Sequence, residues 1–135
     1  MEYADALALH ARCEKLIRDH PENGSEADRE IRGFVPCGIY EHFKSSPQGR
    51  KYYAVIGVCR KVNRQSEGFD PYEYHVPYAS LYPPHTFVPD TRELVGPDGF
   101  LMPIDRPGYR GVRFRMIRGA SEEELFRVAR SYLTR

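Results

Sequence analysis

The chain contains no tryptophan, no Cys-x-x-Cys pair, no long apolar run and almost no net charge. Each absence removes a class of function. Cys13, Cys37 and Cys59 are odd in number and lie in unlike contexts, so no disulfide framework is expected and a reducing compartment is the simpler setting. No apolar stretch reaches the roughly 18–20 residues that span a bilayer. The opening M-E-Y-A-D-A-L-A-L-H also lacks the basic head and apolar core of a secretion signal. We therefore expect a soluble, cytoplasmic protein with no membrane partner. Twenty basic against nineteen acidic residues leave +1, which supplies no global field to attract a polyanion. The signatures H-E-x-x-H and G-x-S-x-G and the glycine-rich phosphate loop are missing as well.

The remaining reactive residues make no recognisable constellation. His10 and His20 are ten residues apart on one helix and cannot share an ion, and His42, His75 and His85 could meet only through the fold. Cys37 and His42, drawn as a nucleophile and base, differ by an odd number of residues and would face opposite sides of a strand. Cys59, between Val58 and Arg60, reads as a packing residue. These patterns call for no metal, no cofactor and no catalytic residue.

What is present is tyrosine, ten in all, most of them between Pro36 and Tyr82. A chain of 135 residues is most simply one domain. Charge divides it unevenly: residues 1–35 carry 5 basic and 8 acidic side chains, residues 36–118 carry 12 and 8, and residues 119–135 carry 3 and 3. The first segment is helical. Ala6, Leu9, Cys13, Leu16 and Ile17 form an apolar stripe over 3–20, closed by Pro21 and Asn23-Gly24. Ser25, with Asp28 at the capping-box position and Gly33 as a stop, frames a short second helix. At the other end, Ser121-Glu122-Glu123-Glu124 opens a helix with an apolar stripe of Leu125, Val128, Ala129 and Tyr132.

Between the helices the period changes to two. Strands are expected over 39–44, 52–60 and 72–81, with S-S-P-Q-G-R as a hairpin loop and Pro77 marking an edge or bulge. Tyr52, Ala54, Ile56 and Val58 point one way and are expected to face the core; Tyr53, Val55, Gly57 and Cys59 point the other. Residues 83–99 hold four of the eleven prolines and read as irregular, with Leu94-Val95 pairing near 100–102. The run 110–118 alternates as a closing strand, and its arginines read as guards of a sheet edge, with a grip on phosphates as the second reading.

The strand period gives the candidate site. Tyr40 and His42 share one face; Tyr72, Tyr74, Val76 and Tyr78 share another, with Tyr82 just beyond. If these ladders adjoin, they make an aromatic platform rimmed by Lys44, Lys51 and Arg60. Stacking on such rings is worth about 1–3 kcal/mol per base in single-strand binders, and small barrels bind oligonucleotides or peptides along one face.

The motifs G-I-Y-E-H-F-K, K-Y-Y-A-V-I-G-V and V-P-Y-A-S-L-Y together resemble a small bacterial family of unknown function with the core G-x-Y-x-H-[FY]-K, Y-x-V-x-G and V-x-Y-x-x-L-Y. The resemblance falls on Gly38, Tyr40, His42, Phe43, Lys44, Tyr53, Val55, Gly57, Val76, Tyr78, Leu81 and Tyr82, about a third of the chain. It implies a compact β-rich domain and brings no known activity. Here Ser45 stands where the family usually has glycine, residues 83–109 look like an insertion, and F-L-M-P has methionine where arginine would be expected.

Taken together, these features predict a mainly β domain with flanking helices. The expected core over 36–118 is a small, partly open SH3-like barrel, with a helical N-terminal segment over 1–35 and one C-terminal helix over 119–135. Its expected role is a non-catalytic binding module for single-stranded nucleic acid, a nucleotide or an extended peptide, through Tyr40, His42, Lys44, Tyr78 and Tyr82. Two other readings stand beside it. One is a small-metabolite enzyme with His42 as general base and Tyr40 or Tyr78 as acid; the other is a structural subunit or homodimer that buries the tyrosine face.

Overall fold

The computed structural model describes residues 1–20, 26–61, 73–82, 90–121, 123–125 and 127. The apolar stripe forms helix α1 (Tyr3–Asp19), which buries Ala6, His10 and Cys13. Helix α2 (Glu26–Arg32) ends where the Gly33 N–H turns back to the Arg29 and Glu30 carbonyls. An Arg12–Glu30 ion pair ties the two helices together. The expected cap Ser25 lies outside the described residues. Asp28 lies in the first turn of α2, as expected, and is buried.

Among the described residues eight strands follow: β1 (Gly38–His42), β2 (Tyr52–Val55), β3 (Cys59–Lys61), β4 (Glu73–Ser80), β5 (Asp90–Glu93), β6 (Ile104–Arg106), β7 (Tyr109–Gly111) and β8 (Phe114–Gly119). Every pairing is antiparallel. The long strand expected over 52–60 is interrupted at Gly57, whose φ of 143° is open to glycine. Its two pieces pair with different parts of β4, Val55 opposite Tyr78 and Cys59 opposite His75. The sheet order is β5–β4–β2–β1–β8, with β3 beside β2 along β4, while β6 and β7 make a separate hairpin. β5 and β8 are the edges, and no pairing among the described residues joins them. The architecture is mainly β with helices at the N-terminus and a helical turn at 123–125, but the sheet is open and not the expected SH3-like barrel.

The two faces of the sheet are packed unequally, and the larger core is on the face opposite to the one expected. Tyr40, Val55, Tyr74, Val76 and Phe114 meet Cys13 of α1, Ile31 of α2, Val35, Leu94 and Phe100. Val55, Val76 and Leu94 are fully enclosed there, each worth about 1.5–3 kcal/mol of burial. The Ala54 and Ile56 face carries a smaller cluster with Ile39 and Leu125. Leu125 arrives on the turn that Ser121 caps through its Oγ, which accepts the Glu124 N–H at 3.1 Å. Residues 128–135, including Val128, Ala129 and Tyr132 of the expected stripe, lie outside the described residues.

Of the stretch read as an insertion, residues 83–89 lie outside the described residues and the remainder contributes to the core. Residues 90–109 supply β5, Leu94 and Phe100, and the Phe100 and Leu101 N–H groups bond back to the Glu93 and Leu94 carbonyls at 2.7 and 3.1 Å. At the far edge, β1 and β8 approach so closely at Gly38 that a Cβ would lie 2.6 Å from the Arg118 carbonyl.

Candidate functional site

Helices α1 and α2 pack on the core face through Cys13 and Ile31, and α2 reaches Tyr74 through Asp28. At the other end of the ladders His42, Tyr53, Tyr78 and Tyr82 are only half-buried, which leaves that end half open. Pairing of Tyr40 with Tyr53 and of Val55 with Tyr78 puts the two expected ladders on one face of the sheet, but they do not adjoin, because β2 lies between them. The rings, however, turn edge-on to one another and do not present a flat platform. Tyr53 is the hub: its ring lies 5.1 Å from Tyr78, 5.6 Å from Tyr82 and 5.7 Å from Phe114, all near perpendicular. This is the geometry that aromatic quadrupoles favour. The Tyr53 and Tyr82 hydroxyls share a 2.6 Å hydrogen bond. Burial, followed by that bond, pushes the Tyr53 phenol upward.

Of the five expected ligand residues, four lie around this half-open end. Tyr40 does not. It is buried, packs on Phe100 at 5.4 Å and donates its hydroxyl to the Pro36 carbonyl at 2.7 Å. Position in the sheet explains this: Tyr40 lies two residues deeper along β1 than His42, under the helical cover. Tyr78 and Tyr82 are half-buried. Lys44 is exposed, with its ammonium 5.8 Å from the Phe43 ring. Lys51 holds its ammonium 4.7 Å over Tyr82. Arg60, expected at the rim, is at the other end, its side chain only 5% exposed beside Asp28 and 5.0 Å from the Tyr74 ring. Tyr72 and His85 lie outside the described residues.

His42 is the best-defined of these groups. Its ring sits 5.1 Å from Phe114 and 4.6 Å from Phe43, and its Nδ1 accepts the Lys44 N–H at 3.2 Å. The neutral ring therefore carries its proton on Nε2. Burial first, then the charges of Arg92, Arg113, Lys44 and Lys51, lower its pKa to about 4. At neutral pH it is an uncharged hydrogen-bonding group and a weak base.

The four cations that act on His42 reveal what the strand periods did not: Arg92 and Arg113 belong to this site. Arg92 stands opposite Val76, on the core side of β5 and two residues before buried Leu94. Its guanidinium lies 5.7 Å from the Phe114 ring and donates to the Asp98 carbonyl at 2.8 Å. Arg113 occupies the bend before β8, where its own carbonyl accepts the Phe43 N–H at 2.9 Å. The Nε of each arginine is buried without a hydrogen-bond partner. Burial, and then the neighbouring Arg92 charge, lower the Arg113 pKa. The alternation of Arg92 with Leu94 was the available signal, since it places a guanidinium at an inward position.

Two cavities flank this cluster. One, of about 260 Å³, is lined by Glu41, His42, Phe43, Ser45, Tyr109 and Arg115 among others. The other, of about 290 Å³, is largely apolar and runs past Tyr40, Phe100, Phe114 and Met116 to Arg113. Among the described residues no three His, Cys, Asp or Glu side chains converge as a metal site would require. The three cysteines are free thiols, and burial raises Cys13 to about 12. No described helix is long and apolar enough to cross a membrane. No family model, curated protein or solved structure matches the chain, so the motif resemblance rests on its own residues.

Proposed function

We propose that the protein is a non-catalytic binding module whose half-open sheet end takes a nucleotide or a short single strand of nucleic acid. One observation carries this reading. Four cations, Arg92, Arg113, Lys44 and Lys51, gather on an uncharged histidine within a cluster of half-buried aromatic rings. Cations answer phosphates, and ring edges and faces answer bases, so the two together suit a ligand with both parts. His42 adds an Nε2–H donor for a base edge or sugar oxygen.

The chemistry of the same group weighs against the enzyme with His42 as general base. Efficient bases have pKa values near the working pH, and His42 is held near 4. Tyr40, one of the two tyrosines named as its acid partner, keeps its hydroxyl on Pro36. Two of the tyrosines that a homodimer would cover, Tyr40 and Tyr74, already lie in the core.

Equilibrium binding of short single-stranded oligonucleotides and mononucleotides to the wild type, Tyr82→Ala and Lys51→Ala tests the reading. Loss of about 1–3 kcal/mol in Tyr82→Ala is expected if a base rests there. Lys51→Ala should weaken binding and flatten its salt dependence. Equal affinity across all three proteins would refute it.

A further inference from the structure

Arg60, whose side chain is only 5% exposed, lies beside the Asp28 carboxylate, which also accepts the partly exposed Arg32. Arg92 and Arg113, both half-buried, have no such partner. Among the described residues no carboxylate lies within 4.0 Å of either guanidinium. Asp98 offers Arg92 only its backbone carbonyl, although its carboxylate favours the Arg113 charge from farther away. Each arginine has a buried, unbonded Nε, and each lies within the field of the other. Holding two like charges at a half-buried place is costly unless a counter-charge arrives, and a planar guanidinium fork is shaped for the paired oxygens of phosphate.

We propose that Arg92 and Arg113 form a subsite for a terminal phosphate, a monoester close to a dianion, of the ligand bound at the aromatic end. The inference rests on the nucleotide reading and specifies which part of the ligand is read. A phosphate monoester carries about −1.5 to −2 at pH 7, whereas an internal phosphodiester carries one charge. Two guanidiniums without an internal acid match the former. The Phe114 ring beside Arg92 and the Asp98 carbonyl bonded to it hold that fork in place before a ligand enters. Free phosphate, a mononucleotide and the phosphorylated end of a strand share this chemistry.

The test compares a 5′-phosphorylated dinucleotide, the same dinucleotide ending in hydroxyl, and inorganic phosphate, at one fixed salt concentration. The phosphorylated form is expected to bind the wild type about 10- to 100-fold tighter than the hydroxyl form, the gain of one or two charge-assisted hydrogen bonds. Arg92→Gln and Arg113→Gln should each bring that ratio down toward one, because affinity for the phosphorylated form falls more than affinity for the hydroxyl form. Inorganic phosphate should shift the Arg92 and Arg113 Nε–H resonances of the wild type, a readout that needs no variant to fold. If phosphate shifts those resonances and no oligonucleotide binds, the subsite stands and the nucleotide reading falls. A ratio near one, with both resonances unmoved by phosphate, would overturn the subsite.

Discussion

Removing the Asp28 carboxylate is expected to weaken the fold more than any other single polar change among the described residues. Asp28 is 4% exposed and serves three neighbours from different elements. Its Oδ1 accepts the Tyr74 hydroxyl at 2.6 Å and lies 3.7 Å from Arg60 Nη1; its Oδ2 accepts Arg32 Nε at 3.1 Å. Arg32 in turn donates to the Val58 carbonyl at 2.9 Å, so the network joins α2, β3, β4 and the β2–β3 break. Burial, and then the bond to Asp28, push the Tyr74 phenol up to about 12. Breaking a buried ion pair from one side costs about 3–5 kcal/mol, because the other charge is left behind. Arg60 makes other interactions and Arg32 is partly solvated, which places Asp28→Ala at the lower end, about 3 kcal/mol. For a chain of this size that is roughly a 10–15 °C fall in Tm. Asp28→Asn keeps an oxygen for Tyr74 and loses only the charge, so about half the loss is expected. Urea unfolding of Asp28→Ala, Asp28→Asn, Tyr74→Phe and the Asp28→Asn/Tyr74→Phe double variant would measure both the loss and the coupling. An Asp28→Ala midpoint within about 1 kcal/mol of wild type, at unchanged slope, would refute this account of the network.

Three further outcomes are expected. The His42 pKa is near 4 in the folded chain and 6.5 as a free side chain, so the unfolded chain takes up the proton first. Stability that is complete above about pH 6.5 should fall toward pH 4, by on the order of 1–2 kcal/mol after solvent screening of a half-exposed ring. His42→Gln should flatten the urea midpoint between pH 5 and 7, a window in which Glu41, its carboxyl lowered by the bond to Arg115, stays ionised throughout. His10 accepts the Gly96 N–H on Nε2 at 3.1 Å and faces Glu14 through Nδ1; His10→Leu strands that N–H at a cost of about 1–3 kcal/mol, and faster hydrogen exchange at Gly96 would identify the cause. Gly38→Ala drives a methyl into the Arg118 carbonyl and should cost about 1–3 kcal/mol, with the loss of protection concentrated along β1 and β8.

Local structure was legible where one period dominated. The α1 stripe, the β1–β2 hairpin, the β4 ladder and the Ser121 cap all follow from spacings within a few residues. The core face of β2 was not legible, because Ala54 and Ile56 on one side and Tyr53 and Val55 on the other are all suited to packing. A sheet covered on both sides loses the alternation that marks a wet face. Closure failed for a different reason: whether β5 meets β8 is set by the twist and length of the whole sheet, which no single segment encodes. Tyr40 and His42 share a face, as the period requires, yet Tyr40 is buried in the core and His42 stays half-buried at its margin. The Arg92–Arg113 pair joins positions 21 residues apart through Phe114, and a basic alternating strand reads equally well as edge protection.

The central claim is most directly tested by an amide and arginine Nε–H NMR titration with short single-stranded oligonucleotides and mononucleotides, at low and moderate salt. The account predicts shifts concentrated on His42–Lys44, Tyr53, Tyr78–Tyr82, Arg92 and Arg113 that survive moderate salt. Shifts confined to the exposed arginines of β8 and erased by salt would mean diffuse charge attraction, and that result, or none at all, would contradict the claim.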